Sequence, residues 1–353
     1  MYIHPELNSE KEKFKLPEKL GFGNVMAPVM FRIDYENGNW KTGQLLPYAP
    51  ISLDPAAKAF HYAQILFEGL KAYKVKTSSP VLFRPEVNWE RLNKSAQRML
   101  MPDLPLEIFM QALFSVTAFC EDLIPDKSQH SLYLRPFMIG TQPSLSLSTS
   151  DTFSFFVIAS PSEPFNTNTL KVFIERDNSR AAKGGTGEVK VSGNYGAALY
   201  STAAAIDKGY DLPLWLDSVE HRFIEELSVM NFFALIDNEI HTPKLTDSIL
   251  PGVTRDSIIH LAKKDGIIVH ERAMDIDELL ASISSGNCTE LFACGTAAIV
   301  VPISILGDKD SQEYVLPTTK ESMALRLRDK LLDIQEGRKD DKFAWLSPVS
   351  SDG

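Results

Sequence analysis

Gly184-Gly185-Thr186-Gly187-Glu188-Val189-Lys190-Val191-Ser192-Gly193-Asn194-Tyr195-Gly196 is the stretch that decides how the rest of the chain is read. Glycine-rich loops expose backbone amides to phosphate, so a nucleotide site is the first candidate. The residues do not support it. A Walker loop needs its lysine directly after a glycine and a hydroxyl residue directly after the lysine, whereas Val189 and Val191 flank Lys190. There is also no Gly-x-Gly-x-x-Gly between a strand and a helix, since Gly21-Phe22-Gly23 lacks the third glycine. Zinc-protease, serine-elbow and paired Cys-x-x-Cys patterns are absent, and no metal site is expected. What remains is a lysine in an apolar, glycine-bordered segment. Such a side chain can simply snorkel to the surface. Desolvated, its amine loses charge readily and becomes a Schiff-base nucleophile. Tyr195, five residues on, could then hold the phenolic oxygen of an aldehyde cofactor.

Working outward, apolar spacing predicts a strand over 170–175 before this loop and a helix over 195–208 after it, closed by Gly209. Strands follow at 214–216, 223–225 and 232–237, the last running into an Asp237-Asn238 hairpin turn. Pro251-Gly252 opens an amphipathic helix to residue 264. Strands at 289–293 and 298–306 and a charged helix at 320–335 complete this half. The N-terminal half predicts strands at 30–35, 72–75, 81–83 and 131–139 and helices at 88–101 and 106–120. Between the halves, residues 160–168 read Ser-Pro-Ser-Glu-Pro-Phe-Asn-Thr-Asn, a turn-rich composition that marks a linker. The expected division is a smaller α+β domain over 1–161, a linker and first strand over 162–178, and a larger lysine-bearing domain over 179–353.

A chain of 353 residues can bury two cores, and 44% hydrophobic with 23% charged residues is ordinary globular composition. The net charge of -10, with no basic run, repels phosphate backbones and anionic lipid, so neither nucleic acid nor membrane is an expected partner. The first twenty residues are polar and the longest apolar runs are too short to span a bilayer, so neither export nor anchoring is expected. Cys120, Cys288 and Cys294 stand at unrelated spacings, which suits free thiols in a reducing compartment, and the cytoplasm is the expected location.

Three further features share the second half. Glu226, at the end of a strand, could pair with a protonated pyridine nitrogen, although a surface carboxylate is the blander reading. Leu250-Pro251-Gly252-Val253-Thr254-Arg255 offers open amides and a hydroxyl at a helix start, and Gly295-Thr296-Ala297 is a small-residue turn that admits an anion.

In their order, these motifs resemble those of the fold-type IV pyridoxal-phosphate enzymes, specifically the branched-chain amino acid aminotransferases. The resemblance runs from about residue 60 to 306. It includes Tyr62-Ala63-Gln64-Ile65-Leu66-Phe67-Glu68-Gly69-Leu70-Lys71, Leu82-Phe83-Arg84-Pro85 with Arg91, Leu132-Tyr133-Leu134-Arg135-Pro136, the Lys190 to Gly196 run, Glu226 with Asn231, and Glu290-Leu291-Phe292. It implies a two-domain α+β architecture with the cofactor at the domain interface, and a homodimer. The implied activity is a transaminase that passes the amino group of leucine, isoleucine or valine to 2-oxoglutarate through a pyridoxal 5'-phosphate Schiff base. Lys190 would be catalytic and carry the cofactor. Tyr195 would bond its phenolic oxygen and Glu226 its ring nitrogen, while Arg91, Val253, Thr254 and Thr296 would hold its phosphate. Tyr62, Phe67, Tyr133, Arg135, Thr296 and Ala297 would form the substrate site. A D-amino-acid aminotransferase or aminodeoxychorismate lyase of the same fold, or a cofactor-binding protein without turnover, are the alternatives. Two departures from the family pattern stand out: Ser228 and Val229 replace a Gly-Thr pair, and Ala298 and Val301 replace the redox Cys-x-x-Cys of some members.

Overall fold

A computed structural model of the protein describes residues 1–165, 169–317, 319 and 321–349. The last three residues of the expected linker, at 166–168, and the first of the expected final helix, Lys320, lie outside these. The chain forms two compact units.

The first unit takes in Met1–Phe165, Val189–Gly193 and Asp333–Gly353. Its backbone is an antiparallel pair, Ser131–Gly140 against Phe153–Ser162, in register from Ser131↔Ser162 to Gly140↔Phe153. The second of these strands is absent from the periodicity reading. Its residues are buried almost throughout, so it alternates too little to show a period of two, and it ends in the Ser-Pro-Ser read as linker. Pro161 is tolerated because it lies beyond Ile158, the last residue paired with the strand Met30–Glu36. Leu70–Tyr73 and Val81–Phe83 extend the sheet on the other side. The helix Leu106–Phe119 places Phe109, Ala112, Leu113 and Val116 on one stripe, and that stripe joins the sheet's core.

Two returns of the chain separate this unit from the expected division. Val191 bridges Leu66, and the Phe67 amide donates to the Lys190 carbonyl at 3.1 Å. Val189 and Val191 are thereby buried in the first unit's core. Near the C-terminus, Leu346–Pro348 pairs with Val81–Phe83. Residues 179–353 are therefore not one unit. Cross-strand pairing between distant segments leaves no mark in local composition.

The second unit takes in Asn166–Glu188 and Asn194–Leu332. Parallel strands Leu170–Glu175, Leu212–Leu216 and Ile299–Gly307 lie beside antiparallel Ile224–Leu227, Cys288–Gly295 and Asn231–Ile236. The pairing Glu226↔Asn231 joins the two ends of this path, closing the six strands into a circuit around an apolar core. Glu239–Pro243 and Val269–Arg272 continue from it as an edge. The expected helix over 195–208 is two pieces, Ser192–Ala197 and Leu199–Asp207; Gly193 and Gly196 weaken the first. The helix Ile276–Ser285, not expected, starts on the Asp275 carboxylate, which accepts the Asp277 and Glu278 amides, and ends at Gly286 with φ +83°.

Candidate active site

In the first unit, three consecutive residues, Phe67-Glu68-Gly69, organise most of the expected site residues. Glu68 is fully buried. Its two oxygens accept Arg91 Nε at 2.7 Å, Arg91 Nη2 at 2.8 Å, Asn88 Nδ2 at 2.7 Å and the Gly69 amide at 3.1 Å. Burial by itself would raise this carboxyl, but Arg91, with Lys190 and Asn88 adding to it, holds Glu68 below the usual carboxylate range. Four residues after Arg91 on the same helix, Ser95 accepts the Lys190 amide at 2.9 Å and donates to the Arg91 carbonyl. Arg91 and the Lys190 backbone are thus tied together.

Phe67 meets two cations. Lys190 Nζ lies 4.9 Å from its ring centroid and the Arg135 guanidinium 4.8 Å. Arg135 Nη2 donates to the Tyr133 hydroxyl at 3.1 Å, since both side chains share one face of their strand. Arg135 Nε is buried with no hydrogen-bond partner. Gly69 has to be glycine here because a Cβ would sit 2.1 Å from the Tyr133 hydroxyl. Lys190, Arg91, Phe67, Tyr133 and Arg135 therefore form one connected group. Tyr62 belongs to another: its hydroxyl donates to the Leu145 carbonyl. Nearby, the buried Lys58 ammonium donates to the carbonyls of Ser146 and Ser148 at 2.7 and 2.9 Å, pinning the same loop.

The connections of Glu68 give a stability prediction. Glu68→Gln leaves a buried guanidinium without its anion, and breaking such a pair costs roughly 3–5 kcal/mol. Because Glu68 sits below its ordinary value, the lost contribution is one that is present above the unfolded carboxyl pKa and fades as pH falls through the folded one. Urea denaturation at pH 7 should show the full loss, and the gap between the variant and the parent should narrow under acid. Equal stability at pH 7 would contradict this.

In the second unit, Glu226 is the centre. Its Oε1 forms an ion pair with Arg180 Nη2 at 2.7 Å and accepts the Leu250 amide at 3.1 Å, and its Oε2 accepts Asn231 Nδ2 at 3.0 Å. Asn231 also donates to the Leu250 carbonyl at 3.0 Å, and a Cβ on Gly252 would lie 2.1 Å from the Asn231 side chain. This close approach sets Glu226 beside the start of the helix Val253–Lys264. That helix begins at Gly252 without a side-chain cap, so its first amides, with Thr254 among them, form an end suited to an anion. The Gly295-Thr296-Ala297 turn starts against the connection that follows Glu226's strand, because a Cβ on Gly295 would lie 3.2 Å from the Val229 carbonyl. Tyr195 is half-buried on the short helix Ser192–Ala197.

The glycine loop before Lys190 is a packing device. Thr186 and Asn194 exchange hydrogen bonds of 2.7 Å, and a Cβ on Gly187 would lie 2.5 Å from the Ser248 carbonyl. Ser228, at one departure from the family pattern, shares its hydroxyl with Thr202 and the Trp215 indole, each at 3.1 Å, whereas Val229 is 52% exposed. Ala298 and Val301, at the other, are buried, and all three cysteines are buried free thiols. Burial pushes the thiols of Cys120 and Cys288 up to about 12. Among the described residues, Glu239, His241 and His270 could offer metal ligands at the sheet edge. They bond otherwise: His270 meets Glu239 at 2.6 Å, and Arg272 donates to His241.

Two residues of this geometry are missing from the sequence reading as site residues, Glu68 and Arg180. The first stands in plain view within the Phe-Glu-Gly motif. The second stands ten residues before Lys190, but its partner is far along the chain.

The family model described as amino-transferase class IV matches residues 65–306. A branched-chain-amino-acid transaminase of Bacillus subtilis is 40% identical, the match covering 94% of this chain and 95% of the relative. A branched-chain-amino-acid aminotransferase of Mycolicibacterium smegmatis is likewise 40% identical, over 94% of this chain and 92% of its own. Among solved structures, the branched-chain amino acid aminotransferase from Escherichia coli is 26% identical. It aligns with a TM-score of 0.70 over 90% of this chain and 99% of that one.

Proposed function

Because this chain belongs to the class IV aminotransferases, we propose that it moves the amino group of leucine, isoleucine or valine to 2-oxoglutarate, with pyridoxal phosphate as carrier. The observation that carries the reading is the pairing of two built features in one chain. One is Lys190, held by its backbone between Ser95 and Phe67; the other is Glu226, fed by Arg180, Asn231 and the Leu250 amide.

The residues present fit this cofactor. An uncapped helix N-terminus at Val253 with Thr254 suits a phosphate, and the buried carboxylate of Glu226 beside it suits a protonated pyridine. When bound, the cofactor supplies an aldehyde for the amino group and a ring that takes up the electron pair left by the α-proton.

The chain's own residues do the rest. Lys190 Nζ carries the cofactor and then moves the proton at the substrate's α-carbon; its fixed backbone leaves only the side chain to swing. Glu226 keeps a proton on the ring nitrogen, and Tyr195 bonds the phenolic oxygen. Arg91, Val253, Thr254 and Thr296 hold the phosphate. Phe67 and Tyr62 present aromatic surface to an aliphatic side chain and exclude water. Tyr133, Arg135 and the Thr296-Ala297 turn receive carboxylates.

Leu145 and Leu147, 67% and 86% exposed on the loop held by Lys58 and Tyr62, support a homodimer in which a second copy covers them. No helix among the described residues is long and apolar enough to cross a membrane. The three free thiols and the acidic charge support a cytoplasmic location.

The test is chemical. Borohydride reduction of the yellow holoenzyme should fix the cofactor irreversibly, because an imine to a lysine is reducible whereas a noncovalent complex is not. Peptide mapping should find the adduct on Lys190; an adduct on Lys183 would overturn the assignment.

A further inference from the structure

Glu225 and Glu226 are neighbours on one strand, both buried, and they meet opposite surroundings. Glu225 accepts the Ser248 hydroxyl on one oxygen, while its other oxygen is buried with no hydrogen-bond partner. Burial pushes its carboxyl up to about 7, and Ser248 and Arg180 offset this only in part. Glu226 instead has the Arg180 guanidinium in direct contact, with 6% and 5% of the two side chains exposed.

We propose that Arg180 is a positioning residue for amino transfer: it holds Glu226 ionised and aimed, so that this carboxylate keeps the cofactor's ring nitrogen protonated. The proposal rests on the reading of Glu226 given above.

Arg180 is itself held from two sides. Its Nη2 donates to the carbonyls of Gly187, at 3.0 Å, and Ser248. Those two segments can approach only because Gly187 lacks a Cβ. The glycine loop that fails every phosphate motif thus acts as a bracket for an arginine. Other charged or titratable groups around the pair are Glu225, Asp217, Cys294 and Arg255. Arg255 is engaged with the Pro243 carbonyl and Glu271, so it does not stand in for Arg180. Without the guanidinium, Glu226 would face the same burial that raises Glu225 and would take up the proton it should lend to the ring.

The experiment loads full-length protein with pyridoxal phosphate labelled with nitrogen-15 at the ring, whose NMR shift separates a protonated from a bare pyridine nitrogen. The parent and Arg180→Lys should show the protonated signal. Arg180→Gln, which keeps a donor for the carbonyls but no charge, should show the bare one, with kcat lower by about a hundredfold and KM for leucine little changed. Glu226→Gln serves as the control. A protonated signal in Arg180→Gln alongside a bare one in Glu226→Gln overturns the role of Arg180; a protonated signal in Glu226→Gln overturns the reading of Glu226 instead. Should Arg180→Gln not fold, Arg180→Gln/Glu226→Gln removes both charges. Recovery of folding supports the pairing, and failure makes Arg180 part of the scaffold and overturns the proposal.

Discussion

Glu226→Gln is expected to give a protein that still binds the cofactor covalently but turns over leucine slower by on the order of a hundred- to a thousandfold. Glutamine is nearly isosteric, and its one carbonyl oxygen can accept from the Leu250 amide or from Asn231 though not from both, while the strand pairing Glu226↔Asn231 is made by the backbone. What it removes is the negative charge. A neutral amide does not keep a pyridine nitrogen protonated, and the ring then takes up the electron pair of the departing α-proton poorly. The loss should appear in kcat and in kcat/KM alike, as for an interaction made at the transition state. Arg180 would be left as a buried cation, so thermal unfolding must be measured beside the kinetics. A variant that keeps most of its rate would move the search to Glu225.

Arg135→Met is expected to slow the glutamate half-reaction by on the order of a hundredfold, the size of a lost charged hydrogen bond of roughly 3 kcal/mol, and the leucine half-reaction far less. One substrate site has to accept both a hydrocarbon side chain and the second carboxylate of glutamate, which desolvation sets against each other. A guanidinium can meet a carboxylate bidentately and lie aside for leucine. A structural arginine tied to a nearby acid is the competing reading from the sequence. Instead, the structure places Arg135 against the Tyr133 hydroxyl and the Phe67 ring, with Nε buried and unpartnered. Methionine keeps the stem and its packing and removes the charge together with the hydrogen bond to Tyr133. Stopped-flow absorbance reads the two half-reactions separately. Equal losses for both amino acids would assign Arg135 to the α-carboxylate or to the fold.

Local sequence carries much of the second unit. The strand Leu170–Glu175 and the helix Val253–Lys264 are legible from apolar spacing and from Pro251-Gly252. Val81–Phe83 is legible in the same way in the first unit. The helix Ile276–Ser285 has its signals too, an Asp275 cap, Gly286, and apolar residues at 276, 279, 280 and 283, yet it is missing from the elements expected above. What local sequence cannot show is long-range. The Val189–Gly193 segment joins the first unit through a bridge to Leu66, and buried Phe153–Ser162 has no alternation to read.

The site divides the same way. Lys190, with apolar neighbours on both sides, is readable as a reactive amine from its own segment. Phe67-Glu68-Gly69 is recognisable only as a motif, and its physical content needs the fold: a ring for two cations, an anion for Arg91, and space for the Tyr133 hydroxyl. Arg180 gives no signal because an arginine in a loop is ordinary until its carboxylate is known.

The most direct measurement of the central claim is an amino-donor panel with purified, cofactor-loaded protein and 2-oxoglutarate, following glutamate formation. Leucine, isoleucine and valine should each give glutamate at rates well above those of D-alanine, and Lys190→Ala should abolish all three. Turnover of D-alanine in preference to the branched-chain L-amino acids, or no transfer from any donor by protein whose Lys190 carries the cofactor, would contradict the account.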